Sequence, residues 1–250
     1  MMPVIFSIGP LHFYSFGLMV AAGVLISLLL MERRAKLDGF PKAQDASDLV
    51  FATLALGFIG SRLAYVFQEW RWYLDHPLKL FAVWEGGLIF YGGAVTVFVG
   101  LPVFMRLRHI SVLKGFDFMI PYGVLTHAFG RLGCFLNGCC AGKPCDLPWA
   151  VRFPGHPETV HPTQLYEAVF NGLLFLFLIR RYSGKHYDGQ ILCAYFVLYS
   201  AGRFAIEFFR AENPAWLWFS WNQWLSVILV AGFGLYGAVL KRGAKSHDPV

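Results

Sequence analysis

Charge is what this 250-residue chain has least of: Asp, Glu, Lys and Arg together make up 14% of it, against about a quarter in soluble globular domains. With 57% hydrophobic and 18% aromatic residues and a mean hydropathy of +0.53, the composition is not that of a soluble fold. The chain also lacks a P-loop, a dinucleotide fingerprint, an H-E-x-x-H helix and a G-x-S-x-G elbow, which removes the common nucleotide-dependent, zinc-protease and serine-hydrolase classes. No internal repeat or low-complexity segment stands out. A cleavable signal peptide is not expected, because Met1 to Pro10 has no basic n-region and the apolar run after it passes an h-region without a small-residue cleavage site. Nucleic acid is not an expected partner either: in an apolar chain a net charge of +6 and a pI near 9.1 record topology.

What is present is a succession of apolar stretches, each near the 20 or so residues needed to cross a bilayer. They run from Leu11 to Met31, Ala46 to Phe67, Leu88 to Met105, Phe116 to Phe129, Gln164 to Ile179, Gln190 to Phe209 and Trp221 to Leu240. The fold class expected is an all-α integral membrane protein of about seven transmembrane helices. Residues 1–240 form one polytopic domain, with an extracytoplasmic loop around 139–162, and 241–250 form a cytoplasmic tail. About 13 Lys and Arg fall on one side of these spans and about five on the other. Basic residues stay in the cytoplasm, so the N-terminus is expected outside and the C-terminus inside.

Three arginines belong to no connecting loop: Arg62, Arg131 and Arg203. A charge at mid-membrane costs about 2.5–3.5 kcal/mol on insertion scales, and such residues usually face a bundle interior or a watery cavity. Snorkelling to the interface is the alternative, most evenly balanced for Arg62. Glu85 and Glu207 are the expected counter-charges, and Glu207, four residues after Arg203, shares its helix face. The stretch from Gly130 to Gly142 (G-R-L-G-C-F-L-N-G-C-C-A-G) gathers Arg131 and Asn137 among four glycines and three cysteines. Irregular backbone at membrane depth is tolerated where it lines a cavity. The cysteine spacing C-x4-C-C-x4-C, from Cys134 to Cys145, matches neither a zinc knuckle nor a redox C-x-x-C. Small buried residues are the first reading of these cysteines, a disulfide the second and a metal the third.

In order along the chain stand Gly9-Pro10, Gly17-Leu18-Met19, Gly60-Ser61-Arg62 with Tyr65, Trp84-Glu85-Gly86-Gly87, Gly92-Gly93, the Gly130 to Gly142 signature, His161-Pro162-Thr163-Gln164-Leu165-Tyr166-Glu167, and Arg203-Phe204 with Glu207-Phe208-Phe209-Arg210. Through these motifs nearly the whole chain resembles the prolipoprotein diacylglyceryl transferases of the bacterial inner membrane. The resemblance implies transfer of a diacylglyceryl group from phosphatidylglycerol to the lipobox cysteine of a prolipoprotein signal peptide, with release of glycerol phosphate and no cofactor. It makes Arg131 and Arg203 the phosphate-facing catalytic residues, with Arg62, Asn137, Gly142, Glu207 and Tyr14 shaping the substrate site. Departures from the family pattern are local. Tyr91 stands where the family has a histidine proposed to activate the thiol, Cys134 and Cys139 replace Asn and Glu of the signature, and Phe16 replaces a tyrosine. Tyr91 and Cys139 therefore join the catalytic candidates. An alternative follows from the same departures: binding of an anionic lipid with different, thiol-based transfer or redox chemistry at Cys139 and Cys140.

Overall fold

A computed structural model describes residues 4–8, 11–40, 42–82, 86–154, 157–211 and 215–246. Helix dominates: α1 Ser15–Asp38, α2 Ala43–Gln68, a short α3 Trp70–Asp75, a 3-10 turn Pro77–Phe81, α4 Phe90–Leu107, α5 Val112–Asn137, α6 Thr163–Ser183, α7 Gln190–Glu207 and α8 Trp221–Ser246. Among the described residues there are also two small antiparallel hairpins, β1 Val4–Ile8 with β2 Leu11–Tyr14, and β3 Ala215–Trp216 with β4 Phe219–Ser220. The seven long helices coincide in order with the seven predicted stretches. Four of them, over Ser15–Asp38, Gln44–Gln68, Phe90–Leu107 and Trp221–Ala244, are long and apolar enough to cross a membrane, and the chain is a membrane protein.

Several helix ends move from the expected bounds, α1 running on to Asp38 and α8 to Ser246, and two of the differences have a clear physical reason. Leu11–Tyr14 is not the start of the first helix but a strand paired with Val4–Ile8, a segment rich in the aromatic residues that favour strands. Helix α5 does not stop at Phe129 but runs on to Asn137. Hydropathy falls at Arg131, yet that arginine has a carboxylate partner, so the helix continues through it and carries half of the glycine-rich signature.

The chain forms two compact units. The first comprises residues 1–30 and 116–250, the second residues 31–115.

In the second unit, α2 and α4 pack backbone to backbone. A Cβ on Gly92 would lie 2.6 Å from the Gly60 carbonyl, and one on Gly93 would lie 2.6 Å from that of Gly57. Small residues on facing helices allow this approach where no hydrophobic gradient drives association. Arg62 is 7% exposed, and its guanidinium donates to the carbonyls of Lys79 (2.7 Å), Leu80 (3.0 Å), Ala82 (3.4 Å), Gly86 (2.7 Å) and Gly87 (3.1 Å). One side chain thereby pins the segment from the 3-10 turn to the start of α4.

In the first unit, Val124, Leu174, Leu178 and Ile191 form a core shared by α5, α6 and α7. Ser27 on α1 donates to the Tyr122 carbonyl at 2.9 Å and meets the Thr126 hydroxyl at 2.9 Å. Asp117 on α5, fully buried, caps α7: it accepts from the backbone N-H groups of Gly189 (2.8 Å), Ile191 (3.0 Å) and Leu192 (3.0 Å) and from Lys185 Nζ (3.1 Å). The first N-H groups of a helix have no partner of their own, and here a neighbouring helix supplies the carboxylate. At the other end, Ser220 and Gln223 form a reciprocal capping box that starts α8, with Ser220 N donating to Gln223 Oε1 at 2.9 Å and Gln223 N to Ser220 Oγ at 3.2 Å.

Candidate active site

The three long helices outside the most apolar set, α5, α6 and α7, bring charged residues to one place in the first unit. Arg131, two turns from the end of α5, pairs through Nε with Glu167 Oε2 on the first turns of α6. The other oxygen of Glu167 lies 3.2 Å from Arg203 Nη1 on α7. Arg203 also holds Glu207 one turn on, Nη2 to Oε2 2.7 Å, which is the same-face pair expected from their spacing. Arg210, just past α7, sits 3.9 Å from both Glu167 and Glu207. Glu207 in turn accepts from Ser220 Oγ and Asn222 Nδ2, each at 2.9 Å.

The outcome is three guanidinium groups around two carboxylates. Both glutamates are about 2% exposed and the arginines 15–21%. Carboxylates this buried persist because they are paired, and three guanidiniums to two carboxylates leave the cluster one net positive charge. That is the electrostatics of an anion site in a low-dielectric setting.

Beside the cluster the signature folds back. Gly138 takes φ +75° and Cys140 φ +65°, so the chain reverses just after α5. The reversal is clamped from α6: buried Thr163 donates to the Cys140 carbonyl at 3.0 Å and buried Gln164 to that of Cys139 at 2.5 Å. Gly142 then threads between two other segments. Its N-H donates to the His161 carbonyl at 2.9 Å, the next N-H, of Lys143, donates to Phe209 at 2.8 Å, and a Cβ at 142 would meet the Phe209 oxygen at 2.5 Å. The loop from Cys139 to His161 is further tied by Cys145 N to the Thr159 carbonyl (2.9 Å) and by Trp149 Nε1 to the Tyr166 hydroxyl (2.8 Å). Between this loop and the end of α7 lies a cavity of about 470 Å³, whose lining includes Cys139, Cys140, Gly142, Glu158 and Arg210. Thiol hydrogen bonding with Cys134 and Cys139, and the nearby Arg131 and Arg210, hold the Cys140 thiol below its ordinary pKa. All five cysteines are free, and Cys140 is exposed rather than a small buried filler.

Of the residues singled out in the sequence, Arg131, Arg203, Glu207, Cys139 and Gly142 converge here, and Asn137 ends α5 next to the reversal. Tyr14 closes β2 and is 54% exposed. Arg62 and Tyr91 belong to the second unit, Arg62 bound to its five carbonyls and Tyr91 73% exposed in the first turn of α4. Glu85 lies outside the described residues. Sequence reasoning missed the part Glu167 and Arg210 play in this cluster, carrying them only as members of the H-P-T-Q-L-Y-E and E-F-F-R runs. The signal was available: a buried Arg131 needs a carboxylate, and the nearest acidic residue at a helix start downstream is Glu167.

Comparison with known proteins covers nearly the whole chain. A model of the prolipoprotein diacylglyceryl transferase family matches residues 3–239. The phosphatidylglycerol–prolipoprotein diacylglyceryl transferase of Methylococcus capsulatus is 36% identical over 250 residues, covering 97% of this chain and 95% of that protein. Its namesake from Bordetella parapertussis is 37% identical, with 94% of each chain covered. That from Geobacter sulfurreducens is 39% identical over 84% of this chain and 83% of its own. The chain therefore belongs to the prolipoprotein diacylglyceryl transferase family.

Proposed function

We infer that this protein is a transferase of lipoprotein maturation, moving the diacylglyceryl group of phosphatidylglycerol onto the lipobox cysteine of a prolipoprotein and releasing glycerol phosphate. The relatives' names supply the two substrates. The observation that carries the reading in this chain is the arginine cluster with an excess positive charge beside the cavity. In the reaction a thiolate attacks the glyceryl carbon, the carbon–oxygen bond to phosphate breaks, and negative charge collects on the departing phosphate. Arg131, Arg203 and Arg210 are oriented in advance by Glu167 and Glu207, so their fields need no reorganisation as that charge grows. Donors placed in this way each contribute about 2.7–4 kcal/mol to such a barrier.

Gly142 and the clamped reversal give the headgroup a backbone wall, and Asn137 stands beside it. Arg62 serves as a positioning residue for the loop before α4 within its own unit, and the exposed side chains of Tyr14 and Tyr91 remain candidates for contact with lipid or peptide. The chain sits in the bacterial inner membrane as a multi-pass protein, its seven long helices spanning the bilayer, N-terminus outside and C-terminus in the cytoplasm. The charge asymmetry of the loops supports that orientation.

The test is direct. Purified protein in detergent is given phosphatidylglycerol and a lipobox peptide, and glycerol phosphate release and peptide mass are followed beside an Arg131→Ala control. The wild type is expected to add a diacylglyceryl mass and the control to lose it. Failure of the folded wild type to modify the peptide would remove the reading.

A further inference from the structure

The three cysteines of the signature have a geometry that the transferase reading does not use. The Sγ atoms of Cys134, Cys139 and Cys140 all lie within 4.8 Å of one another, and those of Cys139 and Cys140 are 3.7 Å apart. A tetrahedral zinc ion with Zn–S bonds of about 2.3 Å requires its thiolates about 3.8 Å apart. The sulfurs are thus already near the spacing a single ion demands.

Sequence spacing gave a metal low standing because Cys134 and Cys139 are five residues apart, unlike a C-x-x-C knuckle. The fold supplies what spacing does not. Cys134 is on the last full turn of α5, Cys139 N donates to the Cys134 carbonyl at 3.2 Å, and the left-handed backbone at Gly138 and Cys140 returns the chain onto it. A non-glycine residue in that conformation is uncommon and persists where the surroundings hold it. The holders are Thr163 and Gln164, both buried, on the Cys140 and Cys139 carbonyls. Thiol positions fixed by a buried second layer are what a metal site needs.

We propose that Cys134, Cys139 and Cys140 bind one thiophilic divalent cation of the zinc type, with its fourth position open to the cavity and taken by an incoming thiol. Cys139 and Cys140 line that cavity and supply its metal-facing wall. Three protein ligands with an open position are the pattern of a catalytic rather than a structural zinc. Charge fits as well: three thiolates around a divalent ion carry one net negative charge, opposite to the one net positive charge of the adjacent arginine cluster.

The role of the open position rests on the transferase reading. A thiol that coordinates the ion gives its proton to water and becomes a bound thiolate. Its sulfur then forms the bond to the glyceryl carbon as the carbon–oxygen bond breaks, the electron pair leaving on the phosphate of glycerol phosphate. The thioether product is a weak ligand and departs.

The experiment uses the reduced, metal-free full chain in detergent, titrated with Co²⁺ in the absence of lipid. One equivalent is expected to bind with intense thiolate-to-cobalt absorption and tetrahedral d–d bands, and Zn²⁺ should bleach both. Cys134→Ser, Cys139→Ser and Cys140→Ser should each abolish the absorption, Cys145→Ser and Cys193→Ser should leave it intact, and Gln164→Ala should weaken binding by about tenfold or more. No thiolate-to-cobalt absorption in wild-type protein with five titratable thiols, or absorption that survives Cys134→Ser, overturns the site. In a second arm a lipobox peptide with cysteine is added, expected to shift the d–d bands where its serine version does not. Unchanged bands overturn the open position. Cobalt binding is read without any transfer, so a metal-binding protein that modifies no peptide would sink the transferase reading and leave the site standing.

Discussion

Glu167 on α6 and Arg203 on α7 are joined Oε1 to Nη1 at 3.2 Å, while the other oxygen of the same carboxylate holds Arg131 of α5. A single acidic side chain thus fixes two arginines from two helices at one distance from each other. The pairing explains how α5 can continue through Arg131 and why α6 begins where it does: both ends meet at one buried charge.

Removing that carboxylate is expected to be costly. Glu167→Ala leaves guanidiniums in a poorly solvated place without their shared partner, and breaking a buried pair from one side costs about 3–5 kcal/mol. Thermal unfolding in detergent should show a large drop for Glu167→Ala and a smaller one for Glu167→Gln, which keeps shape and hydrogen bonding. Equal stability of all three proteins would mean that the cluster is not what holds α5, α6 and α7 together.

Asp117 predicts an effect far from the site. Its carboxylate accepts three backbone N-H groups at the start of α7 and a lysine, and hydrogen bonds to a charged group are worth about 1.5–3 kcal/mol each at most. Asp117→Ala should fray the first turn of α7, seen as faster amide exchange at residues 189–192, with a fall in stability of about 2–4 kcal/mol. Activity measured at a temperature where the variant remains folded should change little, since the arginines sit at the other end of α7.

Arg62 is expected to behave as a clamp. With its five carbonyl contacts gone in Arg62→Ala, the segment from Lys79 to Gly87 loses its anchor. Limited trypsin digestion should cut after Lys79 sooner than in the wild type, followed by fragment mass, whereas Arg71→Ala should leave the cutting rate unchanged. Local opening of this sort follows from lost buried contacts without global unfolding.

Gly142 tests how finely the backbone wall is built. A methyl group there would stand 2.5 Å from the Phe209 carbonyl oxygen and 2.7 Å from the His161 Cβ, and neither neighbour belongs to the end of a flexible side chain. Gly142→Ala is expected to push apart the segments around 142, 161 and 209 and to lower transfer by about 100-fold, the cost of a misplacement near 1 Å at a reacting centre. Retained activity would show that the wall is not part of the headgroup site.

Much of this was legible in the residues, and the gaps have physical causes. Seven apolar stretches marked the seven long helices because a run of about 20 apolar residues satisfies its own backbone best as helix. Arg203 and Glu207 declared their pairing through a spacing of four. Glu167 stayed hidden because its partners are 36 residues away on either side, and no local periodicity encodes a contact between three helices. The closeness of Cys134, Cys139 and Cys140 was hidden for a related reason: linear spacing describes a knuckle, whereas here a helix end and a left-handed turn set the distances. Tyr14 went the other way. Its run looked like helix by hydropathy, but pairing with Val4–Ile8 made it strand.

The last prediction concerns whether the arginines act on one anion. If Arg131 and Arg203 both stabilise the same departing phosphate, each alanine variant should lower the rate by about 10²–10³, the usual loss for one donor in such a site. The double variant should then fall well short of the product of the two losses, because the second removal acts on a site already unable to hold the charge in place. Lysine should not rescue either position. Arg131 and Arg203 each present a planar fork, and Arg203 spans Glu167 and Glu207 with two different nitrogens at 3.2 and 2.7 Å, which a single ammonium cannot reproduce. Rates of the two single alanine variants, the double and the two lysine variants, measured on folded protein at saturating phosphatidylglycerol, decide the matter. Strict multiplicativity, or full rescue by lysine, would mean that the two guanidiniums serve separate tasks and that no common phosphate lies between them.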